Sequence, residues 1–344
     1  LAVTGVQTCA LPIYRKVQMT GRSSYILTLP KQWIKKMNIQ KNQDVTLIQQ
    51  GNGNLTIIAG EPPKQELKPK IFTIKEIPEN NTLFHELIGS YTVGFTEIRI
   101  KMPRHLAQDI RQIVFDFLNA VIGLEIMEES DTELVIKDMM RVDSNAYENA
   151  ISQMYKNVIE MLVDAIEALK THDEKLALSV MERDRQIDRK NRHVARMFTQ
   201  KLKDLADAHD APYSYQDLEC LFILNLYIEL IGDYDVLIAK EVRRFYSEGG
   251  TENEVLIQDI ERMYHRVLAI VKNSEEAWHN RDMAMAHQIA EDFISINKDL
   301  DKTVKSIEKL TVPINNIFEH LRMIAKMAEN IAYLLIDLIL SYEL

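Results

Sequence analysis

Two different spacings of apolar residues divide this chain. Between Val17 and Leu29, within a segment that runs from residue 14 to 60, apolar and polar positions alternate, which is typical of short strands. From residue 144 onward apolar residues recur at every third or fourth position, almost without Gly or Pro until Gly249, and this spacing predicts long helices. The fold class is therefore predicted to be mainly α, with a small β-rich unit ahead of the helices.

The helical part contains an internal repeat. Shifted by 109 positions, residues 152–188 lie on residues 261–297 without a gap, so that Met154 and Tyr155 fall on Met263 and Tyr264. Agreement at one register over this length indicates two copies of one module. Each copy is predicted to form three helices, at about 145–171, 173–208 and 213–247, then 252–280, 282–310 and 313–343. The sequence thus predicts two tandem three-helix bundles, 144–248 and 249–344.

A second small domain is predicted between the β-rich unit and the helices. Residues 61–72 are rich in Pro and Lys and are predicted to be a linker. In residues 73–143 we predict a strand at 90–101, a helix at 103–121 and a hairpin at 124–139. This α/β domain carries no motif that indicates chemistry.

The first 13 residues differ from the rest of the chain. They have no charge and no initiator Met, and they lack the organisation of a signal peptide. They resemble a translated sequencing adapter. We expect residues 1–13 to be non-native and to contribute nothing to the fold, the alternative being a native N-terminal strand.

Charge is distributed unevenly along the chain. Residues 14–60 hold seven basic side chains against the single acid Asp44, a net charge of +6, whereas residues 61–344 carry −16. A basic segment on an acidic body is expected when only that segment meets nucleic acid.

The order of motifs in the basic segment, a strand, Leu29-Pro30, a short helix and further strands, resembles the AbrB/SpoVT family. That resemblance implies a swapped-hairpin β-barrel that forms a two-fold homodimer on DNA. The candidate DNA-binding residues are basic side chains of its first strand and loop: Arg15, Lys16, Arg22 and Lys31. The alternatives are a solvated basic face, or a protein-binding, antitoxin-like role, because the fold alone does not prove DNA binding.

Two acidic pairs stand out in the first helical repeat. Asp184 with Asp188, and Glu229 with Asp233, are each four residues apart, which places both carboxylates of a pair on one helix face. The helix around Glu229 is apolar nearly all round, with no Lys or Arg three or four residues from either acid of that pair. Such carboxylates need a cation or a proton, and oxygen ligands favour Mg, Ca, Mn or Fe. The alternative is a solvated acidic face with one protonated carboxylate, and Arg192 follows Asp188 at the pairing distance.

These pairs and the duplicated three-helix module resemble the PhoU family of phosphate-transport regulators. Asp184 to Asp188 and Glu229 to Asp233 fit the Glu/Asp-x-x-x-Asp metal motif that the resemblance implies. The second repeat departs from that motif, since the equivalent positions hold Phe293, Asn297, Arg322 and Lys326. We therefore predict metal in the first repeat only, with the two cations of the second forming a salt bridge or an anion site.

The leading interpretation is a cytoplasmic transcriptional regulator of phosphate uptake, similar to archaeal members of this family, that binds DNA through its head. The alternative is a non-DNA-binding interaction protein that acts on a phosphate ABC transporter or a signalling partner. Catalysis is not expected: a di-iron site needs two Glu-x-x-His motifs, and only the one at Glu276 is present. No apolar run reaches the length of a membrane span, so no membrane insertion is expected.

Overall fold

The computed structural model of the protein divides into two compact units, residues 1–66 and 67–344. The residues it describes, apart from the side chains of 48, 146 and 204–207, are 13–21, 24–49, 55–60, 68–79, 81–140, 146–207, 214–250, 254–308 and 310–343. The segment predicted to be non-native lies outside these residues except for its last member, Ile13.

The first unit consists of short elements. Strands β1 (Gln18–Thr20) and β2 (Ser24–Ile26) pair antiparallel, and β3 (Val45–Gln49) pairs antiparallel with β4 (Leu55–Ala59). Helix α1 (Lys31–Lys36) follows Pro30, whose fixed φ suits a helix start. None of the side chains described in this unit is buried, and Met19, Tyr25 and Leu47 are more than half exposed.

The second unit begins with a four-stranded sheet of strand order β5-β6-β8-β7. Its strands are β5 (Lys70–Thr73), β6 (Glu97–Lys101), β7 (Leu124–Glu129) and β8 (Glu133–Asp138), and β5 and β6 are parallel while the other neighbours are antiparallel. Helices α2 (Thr82–Val93) and α3 (Ala107–Asn119) share an apolar core with the sheet.

Two sequence predictions in this α/β domain are wrong. Residues 90–93, predicted as the start of a strand, are the last turn of α2, because Leu83, Leu87 and Tyr91 recur at helical spacing and are fully buried. The predicted linker, 61–72, extends too far, because its last three residues belong to β5, where Phe72 is buried in the core.

Six long helices make up the rest of the second unit, as the sequence predicts. They are α4 (Ala146–Thr171), α5 (Glu174–Asp207), α6 (Tyr215–Ser247), α7 (Glu254–Asn280), α8 (Met283–Ser306) and α9 (Val312–Ser341). The predicted fold class is confirmed: two three-helix repeats follow a small β region. No described helix is long and apolar enough to cross a membrane.

The two repeats share one hydrophobic core. Residues of all six helices contribute to it, and the Tyr155 hydroxyl of α4 lies 3.5 Å from the Ser274 hydroxyl of α7. Within the first repeat, Gly232 allows α6 to approach α5, since a Cβ there would lie 2.9 Å from the Ile187 side chain. This close approach brings the acidic faces of α5 and α6 together.

A row of cations on α5 holds the α/β domain against the helical body. Arg189 donates to the Val121 carbonyl, Arg192 to the Ala120 carbonyl, and Lys203 to the Val93 carbonyl. These acceptors lie at the C-terminal ends of α3 and α2, where the helix dipole favours positive charge. Arg196, only 3% exposed, donates to Tyr91 and Phe95 carbonyls and to Asp138.

Candidate functional site

The four predicted ligands lie on two neighbouring helices. Asp184 and Asp188 occupy successive turns of α5, and Glu229 and Asp233 occupy successive turns of α6. All four side chains are partly buried. Electrostatic coupling joins the pairs across the helix boundary, because the charges of Asp188 and Asp233 both raise the pKa of Asp184. The structure therefore places the four carboxylates on facing surfaces of α5 and α6.

The environment of this cluster favours protonated carboxyls. Burial, followed by the charges of Asp233, Asp188 and Asp184, raises the pKa of Glu229 from 4.5 to about 7. Burial and the charges of Asp188 and Asp233 raise the pKa of Asp184 from 3.8 to about 6. The raised pKa values mean that negative charges on these partly buried carboxylates repel one another. A bound cation would reduce this repulsion.

Two cations of the chain itself approach the cluster. Burial and the charge of Asp188 raise the pKa of Asp184 and of Asp233, and the charge of Lys240, seven residues beyond Asp233, offsets part of this rise. This partial offset comes from outside the three- and four-residue spacings that the sequence analysis considered, and it does not extend to Glu229. Arg192 bonds the Asp188 carboxylate at 2.6 Å, as the four-residue spacing allows.

The donors suit a hard cation, since they are all carboxylate oxygens and one of them, Oδ1 of Asp184, is buried without a hydrogen-bond partner in the described structure. Their present arrangement is not a coordination shell. Among the residues that the structure describes, no group of three or more His, Cys, Asp or Glu side chains is placed to hold a metal ion. Metal binding accordingly stays a prediction for Asp184, Asp188, Glu229 and Asp233.

A fifth carboxylate was missed by the sequence analysis. Asp235 is fully buried, and neither of its oxygens has a hydrogen-bond partner within the described parts of the chain. Burial raises its pKa well above the ordinary value, with a smaller contribution from Asp184. A signal was present, because the positions three and four residues away on α6 are all apolar or Gly.

In the second repeat, the two cations at the motif positions, Arg322 and Lys326, form salt bridges within the repeat. Arg322 bonds Asp301 at 2.8 Å and Glu319 at 3.2 Å, and also contacts the Asn297 side chain. Lys326 pairs with Glu329 and lies 5.1 Å from the centre of the Phe293 ring. Of the two predicted alternatives, the structure has the salt bridges, and these leave little uncompensated positive charge for an anion.

The candidate DNA-binding residues of the first unit are exposed where the structure describes them. Arg15 and Lys16 precede β1, and Lys31 begins α1. Arg22 lies outside the described residues. The structure describes a single chain, so the predicted two-fold arrangement of these side chains stays a prediction.

Metal-free protein is expected to lose stability as pH rises from about 4.5 to about 7, because in this range the unfolded chain releases the Glu229 proton while the folded protein retains it. The loss, after allowance for partial exposure, is about 1 to 2 kcal/mol. Thermal melting in EDTA at pH 5 and pH 8, for wild type and Glu229→Gln, isolates this contribution. The variant should gain melting temperature relative to wild type at pH 8, and an equal difference at both pH values would contradict the assignment.

Family models match two parts of the chain, one in the N-terminal β-rich unit and one in the first helical repeat. Residues 151–242 match the PhoU domain, and residues 18–68 match the family described as antidote-toxin recognition MazE, a bacterial antitoxin. The chain therefore contains a PhoU domain preceded by a MazE/AbrB-like antitoxin domain, and the predicted fusion is confirmed.

Two curated relatives match the helical part. The phosphate-specific transport system accessory protein PhoU homolog of Clostridium acetobutylicum is 25% identical over 182 residues, which is 52% of this chain and 72% of that protein. The PhoU homolog 1 of Thermotoga maritima, which has the same description, is 28% identical over 176 residues, 51% of this chain and 72% of its own length.

Two solved structures are also similar. The crystal structure of PhoU from Pseudomonas aeruginosa has a TM-score of 0.49 at 21% identity and covers 57% of this chain and 96% of its own. The phosphate transport system regulatory protein PhoU from Streptococcus pneumoniae has a TM-score of 0.45 at 18% identity, with 57% and 94% covered.

Proposed function

We propose that this protein is a cytoplasmic, non-catalytic transcriptional regulator of phosphate uptake, in which an antitoxin-type head binds DNA as a homodimer and the PhoU-like body senses a cation. The observation that carries the proposal is the joining of a +6 head to a duplicated PhoU-like helical body in one chain. Both curated relatives of the body are described as accessory proteins of phosphate-specific transport, which supports phosphate uptake as the regulated process.

The lack of a core in the head supports dimerisation. Its described side chains include large apolar residues that are more than half exposed, such as Val17, Met19, Tyr25 and Leu47, and none that is buried. A unit of this size has too little core of its own to be stable as a monomer. A second copy of the same head would cover these side chains and double the positive charge presented to DNA.

The second candidate function is an interaction protein that does not bind DNA and instead acts on a phosphate ABC transporter or a signalling protein. The descriptions of the curated relatives favour it. In that case the head serves for dimerisation alone. The two functions differ in one measurable property, the affinity of the full chain for duplex DNA.

The full chain is expected to bind duplex DNA with an affinity that falls steeply with salt. Each phosphate that a basic side chain neutralises contributes about 0.9 to the slope of log affinity against log salt, so a dimeric head with several contacts should give a slope of about −4 or steeper. Fluorescence anisotropy between 50 and 300 mM KCl measures it. Failure to bind at 50 mM KCl would instead support the interaction protein.

Cation binding at the α5–α6 cluster is part of the proposal. The cluster has four carboxylates, and burial together with neighbouring negative charge raises the pKa of Asp184, Glu229 and Asp233. One oxygen of Asp184 is buried without a hydrogen-bond partner in the described structure. Oxygen donors of this kind favour a hard divalent ion such as Mg²⁺, Mn²⁺, Ca²⁺ or Fe²⁺. The equivalent places of the second repeat hold Arg322 and Lys326, which would repel it. We therefore propose one cluster per chain, in the first repeat.

Replacing Asp188 and Asp233 together by Asn is expected to lower Mn²⁺ affinity by about 100-fold or more, because losing direct ligands exceeds the 10- to 100-fold effect of losing their supporting partners. The double variant should also melt at the same temperature with and without EDTA. Isothermal titration with Mn²⁺ measures the affinity. The control is Glu291→Gln with Asp292→Asn on α8, which removes the same charge and should bind as wild type.

A further inference from the structure

Strand β7 forms an open edge of the four-stranded sheet in the α/β domain. It pairs with β8 alone, and no other element in the described structure bonds its main chain. Every residue of β7 after Leu124 is exposed, including the apolar side chains of Ile126 and Met127. The outer N–H and C=O groups of such an edge are free to pair with another extended chain.

The face of this edge that lies toward the core is apolar and incomplete. Ile126 is opposite Ile136, a residue of the core that the sheet shares with α2 and α3, and directly opposite side chains lie on one face. Ile126 remains 37% exposed because the described sheet ends at β7. Helix α3 runs beside this edge, since Arg111 bonds Glu129 at 2.6 Å. Phe115, one turn from Arg111 on the same side of α3, is 60% exposed.

The opposite face of the edge is acidic. Glu125 is opposite Lys137, and Glu128 is opposite Val135. Lys137 and Val135 flank Ile136 along β8, and side chains alternate between the faces of a strand. Glu125 and Glu128 therefore lie on the face away from the α2–α3 core, and neither has an ion pair among the described residues.

These charges decide which kind of strand fits. A second copy of β7, paired antiparallel about a two-fold axis, would bring the Glu125 and Glu128 side chains of the two copies together, and opposed like charges destabilise a sheet. A strand with Lys or Arg at alternate positions would instead pair with these acids, and the apolar residues between would cover Ile126 and Phe115. Acidic residues and a bulge, here at Met127, keep an edge from pairing with copies of itself. Protection of this kind does not account for the exposed apolar side chains beside the edge.

We propose that the β7 edge is a docking site for an extended, positively charged segment of a partner protein, in which basic and apolar residues alternate. The segment adds a strand to the sheet next to β7. Its main-chain hydrogen bonds supply affinity, and its alternating side chains supply specificity. This site depends neither on the carboxylate cluster nor on DNA binding, so it goes beyond the function proposed above.

The first test compares two peptides on the full chain. The probe is a fluorescein-labelled peptide of about eight residues in which lysine and valine alternate, a length typical of a strand. Its control carries N-methyl groups on the central peptide nitrogens, which removes main-chain donors and keeps charge and side chains. The control should bind at least about tenfold more weakly in fluorescence anisotropy, because two or more hydrogen bonds are lost. Equal affinities would show binding by charge alone and would overturn the proposal.

Variants of the full chain locate the site. Glu125→Lys with Glu128→Lys should weaken binding of the probe peptide about tenfold or more at 50 mM KCl, because attraction becomes repulsion. Glu182→Lys with Glu291→Lys makes the same charge change at exposed positions of α5 and α8 and should weaken it less than about threefold. Equal losses for the two double variants would contradict a site at β7.

Phe115→Ser tests the apolar contact without changing charge. Since the side chain is largely exposed, the variant should fold as wild type does, and it should bind the probe peptide about threefold more weakly. It keeps the proposal testable even if the double variant at Glu125 and Glu128 folds poorly. Unchanged affinity would show that the peptide does not reach the apolar face of the edge.

Amide hydrogen exchange supplies an independent readout. Saturating probe peptide should slow exchange at alternate residues of 125–129 at least about fivefold, with no change at residues 70–73 of β5, the other edge of the sheet. Protection at β5, or at neither edge, would overturn the assignment to β7. Sedimentation equilibrium should give the same oligomer size for wild type and for Glu125→Lys with Glu128→Lys. A smaller oligomer for the variant would mean that a second copy occupies the edge, which would also overturn the proposal.

Discussion

Replacing Arg196 by Met is expected to lower the free energy of unfolding by about 3 to 5 kcal/mol, the usual cost of removing one partner of a buried ion pair. The guanidinium is 3% exposed, bonds the largely buried Asp138 at 2.5 Å and lies over the Tyr91 ring. Its loss leaves the Asp138 charge and the Tyr91 and Phe95 carbonyls without these donors. Urea denaturation followed by circular dichroism measures the change.

Lys203→Met is the control for this prediction. Lys203 also donates to a carbonyl at the end of α2, that of Val93, but this contact is exposed, so its loss should cost less than about 1 kcal/mol. Adding Asp138→Leu to Arg196→Met should recover part of the stability, because the unpaired buried charge is then gone. A loss below about 1 kcal/mol for Arg196→Met would show that this interface does not depend on the buried pair.

Reversing two charges ahead of β1, by Arg15→Glu with Lys16→Glu, is expected to weaken binding to duplex DNA by about 100-fold or more at 100 mM salt. The dimer would change four side chains from phosphate attraction to repulsion, and the salt slope should become shallower by about 0.9 for each lost phosphate contact. The effect should be similar for unrelated DNA sequences, since phosphate contacts carry no sequence information. Anisotropy titrations at three salt concentrations measure both quantities.

The matched control places the same charge change on the helical body. Lys175→Glu with Lys298→Glu alters net charge equally at exposed positions of α5 and α8, and it should change DNA affinity by less than about threefold. Equal losses for the two double variants would mean that DNA binding reflects net charge rather than a binding face at the head.

Local pattern was enough to predict the helical body. The six helices and their repeat could be predicted from apolar spacing, because a buried helix face needs apolar residues every three to four positions, and Met154 and Tyr155 recur as Met263 and Tyr264. The placement of Asp184 and Asp188 opposite Glu229 and Asp233 follows from the same spacing once α5 packs against α6.

Contacts between distant segments could not be predicted in this way. Arg189, Arg192 and Arg196 have the spacing of an ordinary charged helix face, and nothing in their neighbours along the chain indicates that carbonyls of α2 and α3 cover them. The first residues of the strand predicted at 90–101, residues 90–93, were wrong for a related reason. Tyr91 suits a strand by propensity, but its burial with Leu83 and Leu87 makes this part helical.

In the second repeat, Arg322 pairs with Asp301 and Glu319, and Lys326 pairs with Glu329. This arrangement affects the expected shape of a curve of metal occupancy against free metal. Only the first repeat has carboxylates at the motif positions. Among the described residues, the equivalent positions of the second repeat therefore form no second carboxylate cluster that could bind metal cooperatively with the first. Occupancy against free metal should therefore follow a simple hyperbola with a Hill coefficient of about 1 for each chain. A steeper occupancy curve would indicate cooperative metal binding between the chains of an oligomer.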